Sequence, residues 1–527
     1  MELTGSAEGG GWGIQVSRVH VNSRVLMVSA TPKAPARIGG PTDITLATPS
    51  QNATIRYTLN GGAEKTYSGP IRITDKTRIV AVASSPGLIS SVPATFDYST
   101  SAEVTVDRYG QVAAADFPGK VTSDEQLRAD VAADKAWYGS LKPPARDPYG
   151  GDPGSGARLG LDATGWFHLG TTSDGRKTLV TPDGNQYFSL GLNGFGSVGD
   201  TYTQVSGREE LYEYLPSDPA DPLNAGWMGN SRQNYSFYVA NQVRKYGSWN
   251  PDADWSRQVE RASQLCFNGA GGFSNIGLRS NAPYPYVAHL DDVPNHPIGD
   301  SGLYDVYAPG LQQELNEAMA RNVAAYKNDR HLIGYMFFNE IFWTRLRTAV
   351  SESKASEVAS KGVLVDMLQK RHGTIASFNA AWGMDAASFD ALKEMPFAPR
   401  TDAAVADIDA FSEAFLDTFY EVFSTAIRKA DPHHLVMGDR WFGNVIANDK
   451  LRDQLATAAG KHLDVITYNY YTWDLNQSRI DAIWEKSGHT PMILTEFHYG
   501  EPTHGLTFAI RMGANEDEKG LLYRNYV

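Results

Sequence analysis

The chain predicts an α/β protein with a small all-β sandwich in front. The larger part should be a (β/α)8 TIM-type barrel that lacks its eighth strand. Three observations predict this. Between residues 31 and 99, short alternating runs are separated by turn residues. From about residue 161, apolar runs of strand length alternate with helix-period patterns, the signature of a parallel sheet. Two of these runs end in a glutamate, Glu340 and Glu496. A buried strand that ends in an ionisable group is costly unless that group opens into a site.

The segments divide in order. Residues 1–30 form an N-terminal segment, 31–99 the sandwich, 100–160 a lead-in and linker, and 161–527 the barrel. In the sandwich, Ala53-Thr-Ile-Arg-Tyr-Thr-Leu59 alternates and ends in an Asn60-Gly61 turn. Tyr67 to Ile73, Thr77 to Ala83 and Ala94 to Tyr98 follow as strands. The Pro- and Gly-rich stretch 142–154 is loop. Seven barrel strands then read as Gln186 to Asn193, Cys266 to Asn268, Tyr284 to Leu290, His331 to Glu340, Leu435 to Trp441, Asp464 to Tyr471 and Pro491 to Gly500. Leu311, Leu315, Met319 and Val323 stripe one helix; Phe411, Phe415, Phe419, Phe423 and Ile427 stripe another. A closed barrel of this type needs eight strands, and 31 residues follow Glu496. The seven-strand form would leave two unpaired edges, so poor solubility and weak activity are expected of it.

Composition narrows the chemistry. Sixty acidic against 47 basic residues give a net charge of −13 with no basic stretch, which argues against nucleic acid as a partner. The single cysteine, Cys266, excludes an internal disulfide and a multi-cysteine zinc site. No H-E-x-x-H motif occurs, and no metal or organic cofactor is expected. No apolar run reaches the roughly 18 residues that a membrane span needs. The N-terminus lacks the basic start and apolar core of a signal peptide. Gly194-Phe-Gly-Ser-Val-Gly199 matches G-x-G-x-x-G, but Asp200-Thr-Tyr-Thr-Gln after it opens a helix poorly, so it reads as a rim loop.

The two carboxylates suit glycoside hydrolysis by double displacement. Glu340, preceded by Asn339, would act as acid and then as base; Glu496 would be the nucleophile and needs donors around it. Asn469 and Tyr471 end the sixth strand on one face; Tyr471 could donate to the nucleophile or pack at the barrel top. Arg440 could bridge to a carboxylate or make a structural ion pair, and His498 could line the sugar site or make a structural hydrogen bond. Asn193, at the end of the first strand, and Trp343, three residues past Glu340, complete the candidate sugar contacts.

These segments resemble the β-agarases of glycoside hydrolase family 50. Asp107-Arg-Tyr-Gly-Gln111, Phe117-Pro-Gly-Lys-Val121 and Pro182 to Asn193 carry the likeness, as do Val205 to Pro216, His372 to Gly383 and Glu496-Phe-His-Tyr-Gly500. Residues 31–99 resemble the chitobiase-type immunoglobulin-like module. The resemblance implies Glu340 as acid/base, Glu496 as nucleophile, and subsite positions at Asn339, Asn469 and Tyr471. It also implies a β-linked galactan or oligosaccharide substrate and an extracellular or periplasmic full-length product. Phe338 stands where the family has an acidic residue, and the family's last strand has no counterpart. A β-galactosidase-like enzyme acting on small galactosides and a non-catalytic carbohydrate-binding barrel are the alternatives.

Overall fold

The computed structural model describes residues 24–34, 36–38, 40–99, 104–503 and 509–527. Most of the expected N-terminal segment (1–23), and 100–103 at the start of the lead-in, lie outside the described residues. Contacts divide the chain into two compact units, neither of them contiguous. One holds the residues up to Thr122 with Thr203–Phe237 and His498–Val527; the other holds Ser123–Tyr202 and Tyr238–Phe497.

The first unit contains the expected β-sandwich. A three-stranded sheet (Ser29–Thr31, Thr42–Ala47, Ile71–Ile73) and a five-stranded sheet built on Thr54–Leu59, Thr77–Ser84 and Ala94–Ser99 enclose one apolar core. Strict alternation explains the core: Ile79, Ala81 and Ala83 of Thr77–Ser84 point inward and are fully buried. Asn60 and Gly61 have φ of 50° and 72°, and Gly62 N–H returns to Leu59 O at 2.8 Å, the mirror-image turn expected of Asn-Gly. The expected strand 67–73 is shortened to Ile71–Ile73, because Gly69-Pro70 interrupts it.

The second unit is built on parallel strands. Among the described residues these are β1 (Gly191–Leu192), β2 (Gly269–Ala270), β3 (Tyr286–Leu290), β4 (Leu332–Phe337), β5 (Leu435–Val436), β6 (Ile466–Asn469) and β7 (Met492–Glu496). β1 to β5 form one sheet in chain order, and β6 pairs with β7. Parallel bridges Met437↔Val465 and Trp441↔Tyr468 connect the β5 end to β6. Asn193, just past β1, donates its side-chain N–H to Thr495 O of β7 at 2.9 Å, so the first and seventh strands approach each other.

Two expected strands are corrected. The run 186–193 is split: Gln186–Tyr187 pairs antiparallel with Lys177–Val180 in a separate small sheet, and only Gly191–Leu192 joins the parallel set. The second strand lies at Gly269–Ala270 and not at Cys266–Asn268, where Cys266 turns through φ 71°. The Gly194–Gly199 loop runs into a short 3-10 turn and a strand, with no α-helix to receive a phosphate.

β4 is buried along its whole length, as its unbroken apolar run requires. Its cover includes the helices α1 (Leu311–Val323) and α2 (Asp402–Ala430). Thr401 caps α2 by accepting from Ala404 N–H, and Arg428 and Lys429 sit at its C-terminal end. The phenylalanine stripe of α2 faces the sheet, with Phe423 stacked on Phe337 at 5.3 Å between centroids. No helix among the described residues is long and apolar enough to cross a membrane.

Candidate active site

The carboxyl ends of β4 to β7 converge. Glu496 is the last residue of β7, and Glu340 lies three residues past β4. Three non-glycine residues at these ends adopt left-handed backbone: Phe338 (φ 59°), Glu340 (φ 52°) and Arg440 (φ 53°). Each such residue costs about 1–3 kcal/mol and persists only where neighbours enforce it. Here the enforcement is visible. Glu340 N–H points to the carbonyls of Asp439 and Arg440, 3.3 Å from each.

Asn469 joins the two carboxylates. Its fully buried side chain places Nδ2 2.9 Å from Glu340 Oε1, 3.4 Å from Glu496 Oε2 and 3.3 Å from Asn339 Oδ1. Thr495 Oγ1 donates to Asn469 Oδ1 at 2.8 Å, which turns the nitrogen toward the acids. Glu496 also accepts from the Tyr471 hydroxyl on Oε1 and from Arg440 on Oε2. Burial, then the Glu496 carboxylate, pushes the Tyr471 phenol well above its ordinary range, so it remains a donor.

Arg440 is wholly buried. Burial pulls its guanidinium down from the ordinary value, and Glu496 opposes that pull most strongly. Its Cζ lies 4.7 Å from the Phe273 ring centroid, and its Nε and Nη1 have no hydrogen-bond partner among the described residues. A Cβ on Gly272 would come within 3.0 Å of Nη1, so glycine is what lets the loop close over the cation. Phe273, half-exposed in left-handed backbone (φ 61°), also stacks on His289 at 5.8 Å.

The expected site residues fall into two groups. Glu340, Glu496, Asn339, Asn469, Tyr471 and Arg440 come together in one hydrogen-bonded cluster. Asn193 is exposed and spends its amide N–H on β7. Trp343 is enclosed, 1% exposed, with its ring edge-on to Phe419 and its N–H on Asp439, so it offers no open face. His498 is exposed and belongs to the other compact unit. Sequence reasoning passes over Phe273 and Asp439. The signal for Asp439 is its place beside Arg440 at the end of an apolar run.

Residues 33–95 match the family described as chitobiase/β-hexosaminidase C-terminal domain. β-Agarase A of Vibrio sp. (strain JT0107) is 28% identical over 452 residues, covering 76% of this chain and 44% of that protein. β-Agarase B of the same strain is 27% identical over 482 residues, covering 81% and 49%. Over most of its length the chain is similar to these two β-agarases. The resemblance read from its motifs is therefore borne out over most of the sequence. The chain spans about half the length of these curated relatives. A crystal structure of an agarase superposes with a TM-score of 0.73 at 20% identity, covering 95% of this chain and 81% of that one. An exo-β-agarase structure gives 0.71 at 20% identity with the same coverage. These structures share the mixed α/β fold.

Proposed function

We propose that this chain is a retaining glycoside hydrolase that cleaves β-galactosidic bonds in agarose-like galactans. One observation carries the reading: the Asn469 amide nitrogen lies within hydrogen-bond reach of both carboxylates. Both distances start from one atom, so the nearest oxygens of Glu340 and Glu496 cannot be more than about 6.3 Å apart, the sum of the two. If each acid takes one N–H of the planar amide, the oxygens stand about 5.5 Å apart. Retention needs carboxyl groups about 5–5.5 Å apart, and inversion about 6.5–9.5 Å.

In this reading Glu496 attacks the anomeric carbon while Glu340 protonates the departing glycosidic oxygen. The glycosyl ester on Glu496 is then opened by a water that Glu340 deprotonates, which returns both groups to their starting states. Tyr471, Arg440 and Asn469 all donate to the nucleophile and hold it in place. Asn339, exposed beside Glu340, is positioned to meet a sugar hydroxyl.

The scaffold we infer is a (β/α)8-type barrel, with residues 31–99 as an accessory module and 161–527 as the catalytic region. Supporting it are parallel strands in chain order, the Asn193 contact between β1 and β7, and carboxylates at the strand C-termini. The galactan assignment draws on relatives named β-agarases. A polymer of that kind is met outside the cytoplasm, so we place the full-length product there. The test is incubation with agarose and with an aryl β-galactoside. Oligosaccharide release that disappears in Glu340→Ala and Glu496→Gln supports the proposal; release that persists in either variant overturns it.

A further inference from the structure

We infer that Asp439 is a positioning residue for the acid/base, acting through Trp343; the inference rests on the reading of Glu340 just given. Asp439 is fully buried, and its carboxylate collects donors from three separate elements. Oδ2 accepts from Trp343 Nε1 at 2.7 Å, in the segment that leaves Glu340. Oδ1 accepts from the Tyr420 hydroxyl of α2 at 2.8 Å and from Trp441 Nε1 at 2.9 Å. No cation is among these partners. Burial outweighs the donors and pushes the carboxyl up to about 6. Apolar side chains in place of the carboxylate and its donors together would fill this region at less cost, so the stability of the core alone does not call for such a cluster here.

The tie to Glu340 is double. The Asp439 carbonyl takes the Glu340 N–H at 3.3 Å, and the Asp439 carboxylate takes the Trp343 indole three residues later. Both ends of the segment from Glu340 to Trp343 are therefore held by one residue. Between them the backbone turns sharply: Glu340 is left-handed, and Trp343 N–H closes on Ile341 O at 2.8 Å. A left-handed glutamate has no intrinsic preference for that conformation, so its neighbours must impose it. The main-chain half of the grip survives any substitution at 439; the side-chain half does not.

Asp439→Asn keeps the shape and changes the donor count. Its single oxygen can serve Tyr420 and Trp441, which leaves its NH2 facing the Trp343 N–H. Two opposed donors must separate, and Trp343 would carry the Glu340 segment with it. A displacement of about 1 Å costs about 100-fold in rate, so kcat should fall about 10- to 100-fold with KM within about twofold. Trp343→Phe removes the same hydrogen bond from the other side and should lower kcat in the same range. Because both changes break one interaction, the double variant should fall little below the worse single. Additive losses, a change confined to KM, or wild-type kcat in Trp343→Phe would overturn the inference. If Asp439→Asn does not fold, Trp343→Phe decides alone. Glu340→Ala, assayed alongside with and without azide, keeps the two claims apart. Rescue there with normal kcat in the 439 and 343 variants refutes only the positioning role, whereas full activity in Glu340→Ala refutes the site.

Discussion

Replacing Tyr471 with phenylalanine isolates one donor to the proposed nucleophile. The ring remains and a single hydroxyl is lost. Glu496 is held from three sides: Tyr471 donates to Oε1, while Arg440 and Asn469 donate to Oε2. After the substitution Oε2 keeps both partners, so the carboxylate stays in place and sugar contacts are little changed. A hydrogen bond to a charged group is worth about 1.5–3 kcal/mol. At about 1.36 kcal/mol per tenfold, kcat should fall between about tenfold and somewhat over a hundredfold. Because burial and then Glu496 raise the Tyr471 phenol, it is protonated throughout the neutral range, and the loss should be the same at about pH 6 and about pH 8. Steady-state kcat and KM on agarose-derived oligosaccharides, beside a thermal melt of each form, measure this. A kcat within about twofold of the parent, or a loss that vanishes at one of the two pH values, would refute the reasoning.

The remaining expectations concern the acid/base, the core and acid stability. In Glu340→Ala, azide should restore turnover on an aryl galactoside with a good leaving group and yield a glycosyl azide, since the small anion attacks where activated water no longer does; product analysis by mass spectrometry decides it. Phe423→Ala opens a cavity against Phe337 and should cost about 3–5 kcal/mol, read from denaturant unfolding. Burial alone would raise the Asp431 carboxyl, but hydrogen bonds from His434, Tyr335 and the His433 N–H more than offset it and lower the group to about 2. Its contribution to stability is present above the ordinary carboxylate value of 3.8 and is lost as pH falls from there toward 2. Asp431→Asn should flatten that limb of the melting curve, and an unchanged limb would exclude Asp431 as its source.

The two glutamates are legible in the sequence because a strand-length apolar run that leads into an ionisable group is costly unless the group faces a site. Asn469 and Tyr471 are legible because residues two apart at a strand end share a face. Strand limits are less so. The Gln186 to Asn193 run looks continuous, yet Asp183-Gly184 closes a local hairpin that takes Gln186 and Tyr187 into another sheet. β2 escapes a sequence reading because it is built of glycine and alanine, which strand propensity passes over. A Cβ on Gly191 would meet Gly269 O at 3.1 Å, and one on Gly271 would collide with Asn193 Oδ1 at 2.2 Å, so close backbone approach accounts for the small residues. Trp343 reads as a sugar contact because an aromatic beside a catalytic acid often is one; only its partner 96 residues away shows where its indole goes. Asp439 draws its donors from residues 343, 420 and 441, a grouping that no local spacing reveals.

Stereochemistry tests the central claim most directly. Proton NMR during the first minutes of hydrolysis of an agarose-derived oligosaccharide resolves the newly formed reducing end before it mutarotates. Carboxylates held by one amide nitrogen predict that the β-anomer forms first and the α-anomer grows in later. An α-anomer formed first would mean direct attack by water, and would contradict the assignment of Glu496 as nucleophile.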